Sequence, residues 1–420
     1  MKTLKAIFTD SSIRGRILFI IFILVVTRIL AAIPIPGVDS SNLAKFLENN
    51  SFFGMLNIFS GGGLSTLSIV MLGVGPYITA SIIMQLTTVL SPRLKEMYQE
   101  EGENGRRRFV QYGRLLTLPL ALLQGFALIT LLMRQNVIGQ LSLPMTLANV
   151  LIVTAGTMLM VWLGEQINER GIGNGVSLII FAGIVAALPT SIGQFFLTFD
   201  VSQIPMLVGV VILVLTVIAG IVFVTEAERP IHVTYAKQSR LGGQSGISNT
   251  SYIPLRLNQA GVVPIIFAIS ILLFPQLIGQ LLATSSMETM TSIARSINNL
   301  ISNQWVYGIS YFLLVVVFTY FYTAIMFDPE KTSDNLQKSG AFVPGYRPGL
   351  PTAEYIGHVL ARVTLVGAVF LGIVAVLPVI VQGVTGISTL QIGGTSLLIA
   401  ISVVLDVMKK IDAQLSMREY

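Results

Sequence analysis

Residues 1–33 read MKTLKAIFTDSSIRGR followed by ILFIIFILVVTRILAAI, and this opening decides the fold class. A basic flank carries Lys2, Lys5, Arg14 and Arg16, and an apolar run follows at 17–33. A bilayer core about 30 Å thick takes roughly 20 apolar residues to cross as a helix. The run has that length and lacks a cleavage-site pattern, so it is expected to be a retained first span with its flank in the cytoplasm. Arg28 lies toward its outer end, where a long side chain can snorkel to the interface.

Nine further stretches repeat the pattern: 67–90, 115–133, 145–163, 176–193, 205–224, 262–282, 306–327, 359–380 and 388–405. Between them the basic residues are unevenly shared. Segments 1–16, 91–114, 164–175, 225–258, 328–358 and 406–420, with Arg362, hold 22 of the 26 Lys and Arg. The other side keeps only Arg28, Lys45, Arg134 and Arg295. The bias predicts ten crossings with both termini cytoplasmic, and it accounts for most of the net charge of +6.

Composition agrees. Charged residues are 11% of the 420, against roughly 25% in soluble proteins. Apolar residues are 53%, and mean hydropathy is +0.78. These values exclude disorder, DNA-binding tails and most soluble enzymes, and predict an all-α polytopic membrane protein. With no Cys, and only His232 and His358 as histidines, no metal site and no cofactor is expected. There is no GK[ST] phosphate loop, and GIGNG at 171–175 reads as a tight turn rather than a phosphate cradle. The spans carry no cluster of ionisable residues, which argues against an intramembrane enzyme. The same bareness argues against the alternative of a secondary transporter for an apolar solute.

Ten spans divide into 1–204 (spans 1–5) and 205–420 (spans 6–10), the second with large cytoplasmic loops at 225–258 and 328–358. An odd number of spans per half forces two halves of like fold into inverted orientation, with a working site at the bilayer midplane. Three local features stand out. SFFGMLNIFSGGGLST at 51–66 is apolar, Gly-rich and too short to span; it reads as a re-entrant helix or an interfacial outer hairpin. Span 2 is marked by Gly73, Gly75 and Pro76, a break that reads as two half-helices. Aliphatic residues follow such breaks: Val74 and Ile78, Ile180 and Ile184, Ile266 after Pro264, and Ile399 after GGTS. Lipid contact or packing is the ordinary reading of an Ile in a membrane span, and composition does not by itself select these six. In KSGAFVPGYRPG at 338–349, Pro344 and Pro348 predict a stiff loop with Arg347 at its tip.

LGEQINERGIGNGVSLIIFAGIVAALP (163–189), FYTAIMFDPEKTSDNLQKSGAFVPGYRPG (321–349), NIFSGGG (57–63), PYITASIIMQL (76–86), EGENGRRR (101–108) and GGTSLLI (393–399) closely resemble the SecY family, the large channel-forming subunit of the bacterial Sec protein translocase. The resemblance covers essentially the whole chain. It implies two inverted five-helix halves around a central pore in the cell inner membrane, conducting unfolded secretory polypeptides and releasing hydrophobic segments sideways into lipid. It further implies a pore ring of Val74, Ile78, Ile180, Ile184, Ile266 and Ile399, with Val74 in place of the more usual Ile. The plug would be Asn57, Ile58, Phe59, Ser60, Gly61, Gly62, Gly63 and Leu64, within about 57–66. A lateral gate between spans 2 and 7 would use Ile82, Gln85, Gln124, Asn258 and Ile269. Lys237, Arg240 and Arg347 would dock the motor or ribosome, although LGGQSG at 241–246 stands where the family often has a paired Arg. Implied partners are the small membrane subunits SecE and SecG, the SecA ATPase, the ribosome, signal sequences with their nascent or secretory chains, and the bilayer; no direct DNA binding is implied.

Overall fold

The structure is a computed structural model, describing residues 10–37, 57, 60–135, 137–197, 204–235, 250–282, 292, 303–385 and 391–416. Helices dominate, and each stretch expected to span meets one. They are α1 (Ser11–Ala31), α2 (Gly75–Leu90), α3 (Pro92–Gln99), α4 (Gly102–Arg134), α5 (Leu143–Arg170), α6 (Gly175–Leu197) and α7 (Ile204–Glu226). After a sheet come α8 (Val263–Leu282), α9 (Gln304–Met326), α10 (Pro329–Lys338), α11 (Leu350–Thr385) and α12 (Gln391–Ser416). By length and composition, Gly102–Arg134, Leu143–Arg170, Trp305–Lys338 and Leu350–Val381 can cross a membrane; Gly75–Leu90, Gly175–Ala187, Val211–Glu226 and Val263–Leu272 are shorter apolar helices. Large apolar side chains such as Phe22, Leu115, Leu151 and Val317 stand exposed on these helices, as lipid-facing surfaces require.

Two compact units emerge: residues 1–209, 269–307 and 378–420 in one, 210–268 and 308–377 in the other. In the first, α4 packs on α2, α3 and α5, and α6 packs on α5, α1 and α12. Glycine sets the closest approaches. A Cβ on Gly175 would lie 1.9 Å from the Gly164 carbonyl oxygen, so α6 starts directly against α5. The preceding GIGNG is a tight turn, with Gly173 at φ +104° and the Asn168 side chain accepting from the Gly175 N–H. Asn174 then caps α6 by accepting from the Val176 and Ser177 N–H groups. Arg114 of α4 donates to the buried carboxylate of Glu165 on α5.

The second unit corrects the all-α expectation. The loop 225–258 holds β1 (Glu228–Tyr235) and β2 (Thr250–Arg256), and the loop after α10 adds β3 (Ala341–Phe342). The antiparallel order is β2-β1-β3, with Ile231 opposite Ile253 and Tyr235 opposite Ala341. Alternation explains the strand: Ile231 and Val233 point into a core with Leu255, Val343 and Ile356, while His232 points out. Basic and proline residues in this loop mask that period when only the charge pattern is read. In the same unit α11 meets the chain after β2, where a Cβ on Gly367 would lie 2.1 Å from the Leu257 carbonyl oxygen.

Two changes test this packing. A Cβ on Gly156 of α5 would lie 2.0 Å from the Ile69 carbonyl oxygen. Gly156→Ala should therefore cost about 1–3 kcal/mol in detergent unfolding, whereas Gly15→Ala, whose Cβ meets nothing within 4 Å, should not destabilise. Arg114→Leu strands the Glu165 carboxylate and should cost about 1–3 kcal/mol. Adding Glu165→Met should recover much of that loss, because the uncompensated buried charge is then gone; a double variant no more stable than the single would refute this account.

Candidate functional site: the glycine-rich segment and the helices around it

Between α1 and α2 the chain is neither strand nor helix from Ser60 to Val74. It is a series of turns closed by short-range bonds: Gly62 N–H to the Asn57 carbonyl, Ser68 N–H to Gly63, Met71 N–H to Ser68, and Gly73 N–H to Val70. Side chains finish the work. Ser60 Oγ donates to the Asn57 carbonyl and accepts from Leu64 N–H, and Asn57 Oδ1 accepts from Ser65 N–H at 2.9 Å. Gly61, Gly62 and Gly73 hold φ of +69°, +86° and +54°, conformations that suit glycine. The first part of the expected span 2, 67–74, is turns, with Leu67 at φ +45° and Gly73 at φ +54° away from helical backbone, and the helix begins only at Gly75. Pro76 sits in the first turn of α2, where its missing N–H leaves no helical bond unmade.

The segment is firmly seated. Ser68 bridges Pro34, Ile35 N–H donates to the Leu67 carbonyl, and Thr66 Oγ1 donates to the Ala31 carbonyl, all at the end of α1. Leu64, Leu67, Met71 and Leu72 enter a buried cluster with Ile129 and Leu132 of α4 and Val153 of α5. Gly61 rests on α6, where a Cβ on Gly183 would lie 2.4 Å from the Gly61 Cα. Ile58 and Phe59 lie outside the described residues.

All six aliphatic side chains expected in the ring are buried: Val74, Ile78, Ile180, Ile184 and Ile399 in the first unit, Ile266 in the second. Val74 and Ile78 stand one turn apart, joined by the bond from Ile78 N–H to the Val74 carbonyl. Ile180 and Ile184 lie on one face of α6, which they share with Gly183. Ile399 is on α12, which packs on α6. GGTS does not break that helix, as the sequence suggests; α12 starts at Gln391 and runs through it. Ile266 follows Pro264 in the first turn of α8.

The expected gate residues are placed on α2, α4, α8 and the turn before it. Ile82 and Ile269 are buried and Gln124 is half-buried. Gln85 donates to Ser81 Oγ at 3.3 Å, and Asn258 donates to the Gly261 carbonyl at 3.1 Å; the amide oxygens of both are buried without a hydrogen bond. Of the expected docking residues, Lys237 and Arg240 lie outside the described residues. Arg347 is exposed on a braced loop: its carbonyl accepts from Thr352 Oγ1, the Gly349 carbonyl accepts from Ser333 Oγ, and Tyr346 stacks on Tyr355 at 4.1 Å.

Sequence reasoning missed two members of this site. Arg28 does not snorkel outward: its guanidinium turns to the segment and donates to the Gly61 carbonyl. Gly183 shows nothing unusual in the sequence, because one glycine inside an apolar span carries no pattern. The signal available for Arg28 was a lone charge on an apolar helix, which favours an internal polar partner as readily as the interface.

The family model for SecY matches residues 68–408. Among relatives, the protein translocase subunit SecY of Synechocystis sp. is 41% identical over 98% of this chain and 94% of its own length. That of Corynebacterium glutamicum is 40% identical over 100% and 99%. The fold is similar to a solved protein-conducting channel, with TM-score 0.63 at 16% identity over 94% of this chain and 91% of that one. It is similar also to Sec61 from a canine ribosome–channel complex of the endoplasmic reticulum, with TM-score 0.60 at 16% identity over 94% and 91%. With its apolar helices and a match along nearly its whole length, this multi-pass membrane chain belongs to the SecY family.

Proposed function

We propose that the chain is a gated, protein-conducting channel that passes unfolded secretory polypeptides across the bacterial inner membrane and releases hydrophobic segments sideways into lipid. The observation that carries this reading is the seat of Gly61 against Gly183, on the helix face that also bears Ile180. A small-volume segment held by turns, resting against an aliphatic surface, is what a displaceable plug requires. The same reading takes ten spans in two inverted halves, 1–204 and 205–420, with both termini cytoplasmic.

Aliphatic side chains suit the constriction. A translocated chain presents every side-chain type, and Ile and Val offer each only weak dispersion, with no fixed polar partner to hold it. An idle apolar constriction also resists wetting, which limits ion leakage. The lateral gate between α2 and α8, with Ile82, Gln85, Gln124, Asn258 and Ile269, draws on a different energy. A signal sequence of about 20 apolar residues gains free energy in lipid while its polar flanks do not. Such a channel has no catalytic step of its own. Energy comes from SecA or from chain elongation on the ribosome, docked at the basic inner loops with Arg347, Lys237 and Arg240. SecE and SecG complete the complex. Family membership leaves the apolar-solute carrier unsupported.

Ile266→Asn and Ile399→Asn should weaken the seal, raising idle ion conductance in planar bilayers and relaxing signal-sequence requirements. Unchanged conductance and unchanged selectivity in both would contradict the ring. Arg347→Glu should impair export and motor or ribosome binding without lowering channel stability, since an exposed loop charge contributes about 0–1 kcal/mol while its reversal opposes a complementary surface. Normal binding and export would remove Arg347 from the dock.

A further inference from the structure

Arg28 is the one charged side chain in the apolar run 17–33. Its Nη1 donates to the Gly61 carbonyl. The rest of the guanidinium lies over the same contact: a Cβ on Gly61 would stand 3.2 Å from Nη2, one on Gly183 3.3 Å from Nη2, and one on Gly62 3.6 Å from Nη1. One planar group therefore covers the place where the turn segment meets α6. Its surroundings are apolar, with Leu24 and Val25 of α1 and Phe181 and Val185 of α6 lining an open groove of about 550 Å³ beside it. Nε is buried without a hydrogen-bond partner.

We propose that Arg28 is a positioning residue, a latch that fastens Gly61 to the Gly183 face of α6 and sets how readily the segment leaves. The proposal rests on reading 57–66 as the plug. The other bonds made by 60–65 are local turns, which can travel with the segment, while Thr66, Leu67 and Ser68 tie its far end to the end of α1 as a hinge. The bond from Arg28 reaches Gly61, ahead of that hinge, so it must break when the segment lifts from α6. A charged donor to a carbonyl in apolar surroundings is stronger than a neutral pair, and the flat guanidinium fits over three glycines where an ammonium would make a single point contact. The absence of side chains at Gly61 and Gly183 is part of the device, because a Cβ at either would push between the guanidinium and the backbones that it covers.

The test uses the complete channel with its partner subunits in planar bilayers, reading idle ion conductance with the plug intact and with residues 60–65 deleted. With the plug intact, Arg28→Gln should raise conductance about tenfold or more, Arg28→Lys should raise it less, and Gly183→Ala should raise it independently. In the plug-deleted channel none of the three should add to the leak. Unchanged conductance in Arg28→Gln and Gly183→Ala with the plug intact would overturn the latch. So would an equal rise in both backgrounds, since Arg28 would then act on the helix bundle rather than on the segment. If deleting 60–65 itself left conductance unchanged, the plug reading would fail first and the latch with it, a result distinguishable from failure of the latch alone.

Discussion

Hydrocarbon offers no hydrogen bonds, so a chain that lies mostly in a bilayer must satisfy its backbone N–H and C=O groups from within. That constraint turns the apolar stretches into helices and confines irregular backbone to places enclosed by protein. The segment at 60–74 obeys it by another route. Its N–H and carbonyl groups are matched by short turns, by the end of α1, and by Ser60, Asn57 and Thr66. The sheet falls in segments rich in charge, where water can serve its edges.

The second requirement is close approach. Apolar side chains gain little by leaving lipid for protein, so membrane helices hold together by packing, and packing improves where backbones can touch. Gly156 against Ile69, Gly175 against Gly164, Gly183 against Gly61 and Gly367 against Leu257 are four such places, each with a carbonyl or Cα where a side chain would go. Three of them lie in the unit that carries the turn segment and five of the six aliphatic residues expected in the ring. Two charged contacts reach between separate elements at partly buried places: Arg114 to Glu165 and Arg28 to Gly61. They join separate elements, so each fixes geometry between parts that dispersion alone would let slide.

A channel for polypeptides needs a surface that binds nothing well and a closure that opens without much loss. In the proposed reading, aliphatic side chains supply the first, and a glycine-rich segment with little side-chain volume supplies the second. Arg347, exposed on a loop braced by Ser333, Thr352 and Tyr355, presents its charge from a fixed base rather than a loose tether.

The helical class, the place of nearly every apolar helix and the skewed basic flanks were legible in the sequence, because hydropathy over about 20 residues and Lys/Arg bias are local sums that need no partner. The plug and ring residues were named from family motifs, not from physics: an Ile in a span has the same composition whether it meets lipid, a neighbouring helix or a pore. The strands of the loop 225–258 were missed because a period of two over a few residues is faint beside a strong charge signal. The start of α2 shifted to Gly75 because the turns before it are stabilised by Thr66 and Ser68 reaching the end of α1, contacts between residues far apart in sequence. The direction of Arg28 and the seat of Gly61 on Gly183 were decided by tertiary structure alone. A side chain's partner, and the space a missing one leaves, exist only once separate helices have been brought together.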